Sequence, residues 1–280
     1  MTRYFLFLTV FLISISGIIA QTQPSCCQAS SVKAFADLAG DISFVMAHEE
    51  PLPFVLQNPM GSTIKFPASD GTDAQGYYIA GKKSSKKWIF VFQEWWGLND
   101  YIKNQSDQLH KEFPDAHILA LDLYDGKVAN TREEAGALMQ GADPKRIEKI
   151  IEAGSAFSGK KSRIATIGWC FGGAWSNKAS VMLGTKNRAC IMYYGMPVKD
   201  EVQLKKIKAP VLGIFANKDG WITPKVVEEF AASMKKLGKS IETHGYEADH
   251  AFANPSNPRY HKEYSADAWN RSVQFIRKHL

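Results

Sequence analysis

The sequence predicts an α/β fold, a mostly parallel central sheet with helices on both faces. Two observations carry that prediction. From residue 88 onward, short apolar runs alternate with longer amphipathic stretches to the end of the chain, and strands alternating with helices imply a parallel sheet. The runs themselves, such as 88–92 (Trp-Ile-Phe-Val-Phe), are apolar without interruption, as expected of strands covered on both sides. The length suits one large domain, and no repeat or low-complexity segment interrupts the pattern.

Residues 1–20 are expected to be a secretory signal peptide rather than part of the fold. Arg3 supplies a short cationic lead, 5–15 is almost wholly apolar, and small and aliphatic residues at 17–20 precede the polar Gln21-Thr22-Gln23-Pro24. That order is the signature of an exported chain cut near Ala20. An uncleaved anchor would need about 20 consecutive apolar residues, and the serines and glycine here make the run marginal. The expected location is therefore periplasmic or secreted, with no membrane partner after cleavage.

Residues 21–61 read as an N-terminal extension wrapped on the domain, with one helical stretch over 32–46 and then Pro51, Pro53 and Pro59. The domain itself is expected over 62–280. It opens with two strands, 62–66 and 75–80, separated by turn residues at 69–73, which look like an antiparallel sheet edge. A strand at 88–92, a helix at 99–113 and a strand at 117–121 follow. Helices are expected at 132–139 and 144–157, the second started by Asp143-Pro144, a good cap and first-turn pair. Next come a strand at 163–167, a helix at 172–183, and strands at 189–194 and 211–216. A helix at 224–237, a strand at 240–246 and a closing helix at 261–279 complete the pattern.

Formal charge is 34 − 28 = +6. The lysines fall in scattered pairs (82–83, 86–87, 160–161, 205–206, 235–236) at turns and helix ends. Nucleic-acid binders concentrate basic residues in a stripe with aromatics between them; this pattern reads as a solvated surface, with no nucleic-acid partner. Four cysteines in a chain this long are not a disulfide scaffold. Cys26 and Cys27 are adjacent in a probable tail, and Cys190 sits in an apolar run as a small hydrophobe. Cys170 differs because of its neighbours.

Gly168-Trp169-Cys170-Phe171-Gly172 lies where a buried strand meets a helix. The pattern small-x-nucleophile-x-small is the nucleophile elbow, with cysteine where serine is commoner. The nucleophile occupies a strained turn, so the residues two before and two after must lack bulk. The turn lifts the side chain above the carboxyl edge of the sheet and aims the backbone N–H of Phe171 at a developing oxyanion. An acid and then a histidine should follow, each in a loop after a later strand. Asp219 follows the strand at 211–216, and His250 lies between the strand ending near 246 and the last helix. Taken singly, an aspartate beside glycine is most often a turn former and a loop histidine is usually just exposed. His244 falls within a strand and His261 within the last helix, so neither sits at a loop tip as His250 does. Asp249 could compete as the acid, although sequence neighbours rarely face one another in this way.

Glu94 follows the strand at 88–92, in Gln93-Glu94-Trp95-Trp96-Gly97-Leu98-Asn99-Asp100. A carboxylate among tryptophans is costly to desolvate. It is either a surface group beside two partly exposed tryptophans or part of the site.

Glu94 with the following W-W-G-L-N-D, the G-W-C-F-G-G elbow, Asp219 and D-H-A-F together resemble the dienelactone hydrolases, from about residue 62 to the C-terminus. The resemblance implies an α/β-hydrolase fold and hydrolysis of small-molecule esters or lactones by Cys170, His250 and Asp219, without metal or organic cofactor. It implies that Glu94 contacts the resting thiol and helps form the thiolate once substrate binds, and that Trp95 and Phe171 supply the oxyanion N–H groups. Family members that bind a substrate carboxylate place an arginine a few residues after the histidine. Here that position holds Asn254, and a second family arginine is matched by Arg132. These two, with Trp96 and Trp221 at an aromatic-rich mouth, are the expected substrate contacts, in a monomer. The same residues could serve a thioesterase or acyltransferase, or the fold could be a catalytically silent ligand binder. A redox-sensing Cys170 would want a resolving cysteine, and none lies near it in sequence.

Overall fold

The computed structural model describes Met1 and residues 30–280. The expected signal peptide and Cys26–Cys27 lie outside the described residues. The chain from residue 31 folds as α1 (Ser31–Ala36), a 3₁₀ turn (Asp37–Gly40) and α2 (Ile42–Ala47), then β1 (Ser62–Pro67), β2 (Asp73–Ile79) and β3 (Lys87–Phe92). There follow α3 (Asp100–Glu112), β4 (His117–Leu121), α4 (Arg132–Gly141), α5 (Pro144–Phe157), β5 (Arg163–Trp169) and α6 (Phe171–Leu183). The last elements are β6 (Asn187–Tyr193), α7 (Glu201–Leu204), β7 (Val211–Ala216), α8 (Pro224–Lys236), β8 (Ile241–Tyr246) and α9 (Lys262–His279).

The eight strands form one sheet in the order β1-β2-β4-β3-β5-β6-β7-β8. β1 and β2 pair antiparallel, and β2 joins β4 antiparallel. All the other pairs are parallel. The expected antiparallel edge thus sits beside a parallel core. Every residue of β4 and β7, and all but the first of β3 and β5, is buried. Because successive side chains of a strand point to opposite faces, that pattern requires cover on both.

Local signals set the helix starts. Asp143 caps α5 with Pro144 in its first turn, and Asn99 caps α3, its Oδ1 accepting from the Ile102 N–H at 3.2 Å. Two expectations are corrected here. The helix expected over 32–46 is broken, because Asp41 takes an extended backbone and its carboxylate accepts from the Ser43 N–H at 2.8 Å. A side chain that bonds the backbone two residues on starts a new helix instead of continuing the old one. For the same reason His261 caps α9, accepting from the Tyr264 N–H at 3.3 Å, rather than lying inside it.

The segment before β1 is tied down along its length. Leu52 donates its N–H to the Ser256 carbonyl at 3.2 Å and accepts from the Tyr101 hydroxyl at 3.0 Å. The N–H groups of Leu56 and Met60 donate to the carboxylates of Asp100 and Asp107. Phe35 and Phe44 are fully buried, each worth about 1.5–3 kcal/mol relative to exposure.

Candidate active site

The parallel strands β3, β5, β7 and β8 end at one edge of the sheet, and each is followed by a residue singled out in the sequence: Glu94, Cys170, Asp219 and His250. At the centre, Cys170 connects β5 to α6 with φ 57° and ψ −119°, a backbone that costs an L-residue about 1–3 kcal/mol. Its flanking glycines have a steric reason. A Cβ on Gly168 would run into the Gly172 carbonyl, and one on Gly172 into the carbonyl of Phe92. Strand and helix approach backbone to backbone, which holds the turn. The N–H groups of Phe171 and Trp95 both point at the sulfur.

His250 donates from Nδ1 to Asp219 Oδ2 at 2.5 Å. The other oxygen, Oδ1, accepts from the N–H groups of Trp221 and Ile222, both at 2.9 Å. Burial pushes the Asp219 carboxyl up, but the His250 ring and these donors outweigh it and hold the group below the usual carboxylate range. An ionised carboxylate can only accept, so Nδ1 carries a proton, and Nε2 is the ring nitrogen left to face Cys170. Burial first, and then the carboxylates of Glu94 and Asp219, push the Cys170 thiol well above its ordinary range, against the two N–H groups. The resting sulfur is therefore a neutral thiol.

Glu94 is 6 % exposed, and burial pushes its carboxyl up to about 8. Its Oε2 accepts from the side-chain amide of Asn254. Among the described residues, Oε1 has no hydrogen-bond partner. This has a consequence for stability. The folded chain keeps the Glu94 proton up to about 8, whereas the group's ordinary value is 4.5. Between those values unfolding releases a proton, so stability falls as pH rises. Glu94→Gln keeps an acceptor for Asn254 and is expected to remove a slope of about 1.4 kcal/mol per pH unit in that window. Urea denaturation from pH 5 to pH 8 checks this; parallel wild-type and variant curves would refute it.

The expected substrate contacts are placed differently. Trp95 and Trp96 are buried, not partly exposed, and pack against each other at 5.0 Å between centroids. Trp221 packs edge-on to Phe44 and donates its indole N–H to Asp41 Oδ2 at 3.0 Å. Asn254 spends its amide on Glu94 and its Oδ1 on the N–H and hydroxyl of Ser256. Arg132, at the start of α4, donates to Glu50 Oε1 at 3.1 Å. Among the described residues, Trp96, Trp221 and Arg132 are held by other partners, and Asn254 borders only a small space. The space beside Glu94, Trp169 and Asn254 amounts to about 10 Å³, at the limit for one water. Among the described residues, a cleft of about 600 Å³ between α1 and residues 196–203 contains none of these residues.

The reason is the N-terminal segment, which roofs the site. Phe44 stacks edge-on against Trp95, Trp221 and His250, with Phe35 beside His250 at 6.2 Å. His48, at the end of α2, lies 5.1 Å from the His250 ring. Sequence reasoning did not find His48. Its one signal is i, i+4 spacing from Phe44 at the end of a helical stretch, which countless helices share. Burial above all, and then repulsion from His250, lower its pKa to about 3 despite the Phe44 carbonyl and Asp219, so its ring is neutral.

A cysteine on a strand–helix elbow, backbone N–H groups at its side chain and an acid–histidine pair from later strands fit an α/β-hydrolase fold. A sequence model of the dienelactone hydrolase family matches residues 75–280, so the chain belongs to that family and is a carboxylic ester or lactone hydrolase. Protein usf of Aquifex pyrophilus is 28 % identical over 232 residues, covering 79 % of this chain and all of that protein. Carboxymethylenebutenolidase 1 of Cupriavidus pinatubonensis is 26 % identical over 205 residues, 67 % of this chain and 84 % of that one. Among solved structures, a dienelactone hydrolase-like promiscuous phosphotriesterase from metagenomic libraries superposes with a TM-score of 0.66. It is 19 % identical and covers 78 % of this chain and 98 % of that chain, a likeness of fold.

Proposed function

We propose that the protein is an exported thiol hydrolase of small esters or lactones, with Cys170 as nucleophile and His250, oriented by Asp219, as general base. One observation carries this reading: the Cys170 sulfur, held on a strained elbow, faces both the N–H groups of Phe171 and Trp95 and the free Nε2 of His250. The thiol proton passes to His250 Nε2, and the thiolate attacks the carbonyl carbon. A C–S bond forms as the carbonyl π pair moves onto oxygen, where the N–H groups of Trp95 and Phe171 stabilise it. Collapse breaks the C–O bond, and the departing alkoxide takes the proton from His250. Water, deprotonated by the same nitrogen, then cleaves the thioester and returns the thiol.

Burial keeps Glu94 protonated at rest, which leaves Asp219 as the charged group of the site; on losing that proton to solvent as substrate binds, Glu94 adds a second acceptor beside His250 for the single thiol proton. The substrate class follows from the cations. Asn254 stands where the family resemblance implies an arginine and is engaged by Glu94, and Arg132 is paired with Glu50. An acyl group without a carboxylate therefore suits this site. Substrate reaches the sulfur when α2 is displaced. Export rests on the composition of residues 1–20, and a mature N-terminus near Gln21 on protein recovered outside the cytoplasm would bear it out.

The test is to trap the thioester. The full chain is mixed with p-nitrophenyl acetate or a neutral enol lactone, quenched in acid and digested for mass spectrometry. An acyl group on the peptide holding Cys170 supports the reading; turnover with the acyl group on another residue would sink it.

A further inference from the structure

Three donor atoms meet under the roof, and hydrolysis needs only two of them. Cys170 Sγ and one ring nitrogen each of His48 and His250 lie within 4.8 Å of one another. All three residues are buried, at 1 %, 4 % and 5 % exposure. Both histidines have the same tautomer for the same reason. His250 Nδ1 donates to the Asp219 carboxylate, and His48 Nδ1 donates to the Phe44 carbonyl at 2.7 Å. Each acceptor lacks a proton, so each Nδ1 is the donor and each Nε2 is the nitrogen left for another partner. Both Nε2 atoms are buried without a hydrogen-bond partner among the described residues. One thiol proton can satisfy only one of them.

We propose that His48, His250 and Cys170 form a binding site for one borderline-soft divalent cation of the zinc class. Two imidazoles and a thiolate are a donor set that suits Zn²⁺, and three protein ligands leave its fourth position open. Ligating histidines usually donate their other N–H to a carboxylate or a backbone carbonyl, which fixes the ring; His250 and His48 show one of each. Tetrahedral bond lengths place such donors roughly 3.3–3.6 Å apart, so closure from within 4.8 Å asks for movements on the order of an ångström. Binding is balanced simply: the cation gains two nitrogen lone pairs and the thiolate, and the thiol proton leaves to solvent. The cation draws charge from the sulfur and occupies the Nε2 of His250 that would take the thiol proton, so the loaded protein is a resting form of the hydrolase. The site couples the N-terminal segment to the catalytic loops, because His48 comes from the roof and the other two ligands from beneath it. The inference stands on donor geometry and does not need the hydrolytic reading to hold.

The experiment uses the full chain, stripped with a chelator and titrated anaerobically with Co²⁺ as a spectroscopic substitute for Zn²⁺. One equivalent is expected to give a near-ultraviolet thiolate-to-cobalt band, which Zn²⁺ then displaces. Cys170→Ala keeps Cys190 and is expected to lose the band. His48→Ala and His48→Gln, each checked for folding by circular dichroism, are expected to weaken binding more than about 100-fold. Absence of the band in the wild type overturns the proposal, as does its survival in Cys170→Ala. Equal affinity in a folded His48 variant and the wild type also overturns it. Because the readout is absorption, a silent hydrolase and a missing metal site give different results.

Discussion

Cys170→Ala is expected to lower kcat/KM for a weakly activated ester by about 10⁴-fold or more, with the fold retained. The size follows from what is left behind. The N–H groups of Trp95 and Phe171 remain, and such groups alone preserve part of the rate enhancement over water when a nucleophile is removed. A 10⁴-fold loss corresponds to about 5.5 kcal/mol of barrier. Steady-state hydrolysis beside the wild type measures it, and a variant that keeps a tenth of the activity would remove the thiol from the mechanism.

The same position separates catalysis from stability. Alanine retains the Cβ and therefore the cost of φ 57°, whereas glycine takes a positive φ freely. Cys170→Gly is therefore expected to be equally inactive yet more stable than Cys170→Ala by about 1 kcal/mol. Equal urea midpoints for the two variants would show that no strain is stored at the elbow.

The placement of most candidate site residues was legible in the sequence because its logic is local and ordered. A strand read as an apolar run fixes where its carboxyl end lies, and the elbow motif reads the backbone contact between Gly168 and Gly172 directly. The rule that acid and histidine follow later strands then selects Asp219 and His250 from among several candidates. The buried cost of Glu94 was readable from the tryptophans beside it, although its pairing with Asn254 joins positions 160 residues apart. The roof was not legible. Phe44 reaches Trp95, Trp221 and His250 through contacts that leave no periodic trace, and the break at Asp41 depends on a cap that competes with an otherwise helical stretch. Arg132 is singled out only by its place in the region before the elbow, and Glu50, from the extension, engages its guanidinium. The sequence pattern thus recovers what the sheet edge imposes and misses what the extension adds over it.

Asp219→Asn tests the orientation of the base most sharply, and its expected cost is about 10⁴-fold in kcat. The two oxygens of Asp219 have separate duties. Oδ1 accepts from the N–H groups of Trp221 and Ile222, and Oδ2 accepts from His250 Nδ1. An asparagine has one carbonyl oxygen, and two backbone donors claim it. Its amide nitrogen is then left facing His250, where it can only donate. The ring must present the Nδ1 lone pair and move its proton to Nε2, the atom that should receive the thiol proton. The base is thereby blocked with its position almost unchanged. Asp219→Ala removes the partner without imposing the wrong tautomer, so it is expected to lose less activity than the near-isosteric asparagine. That inverted order is the discriminating result: a purely structural role for Asp219 would make alanine the worse substitution, and comparison of kcat for the two folded variants decides between them.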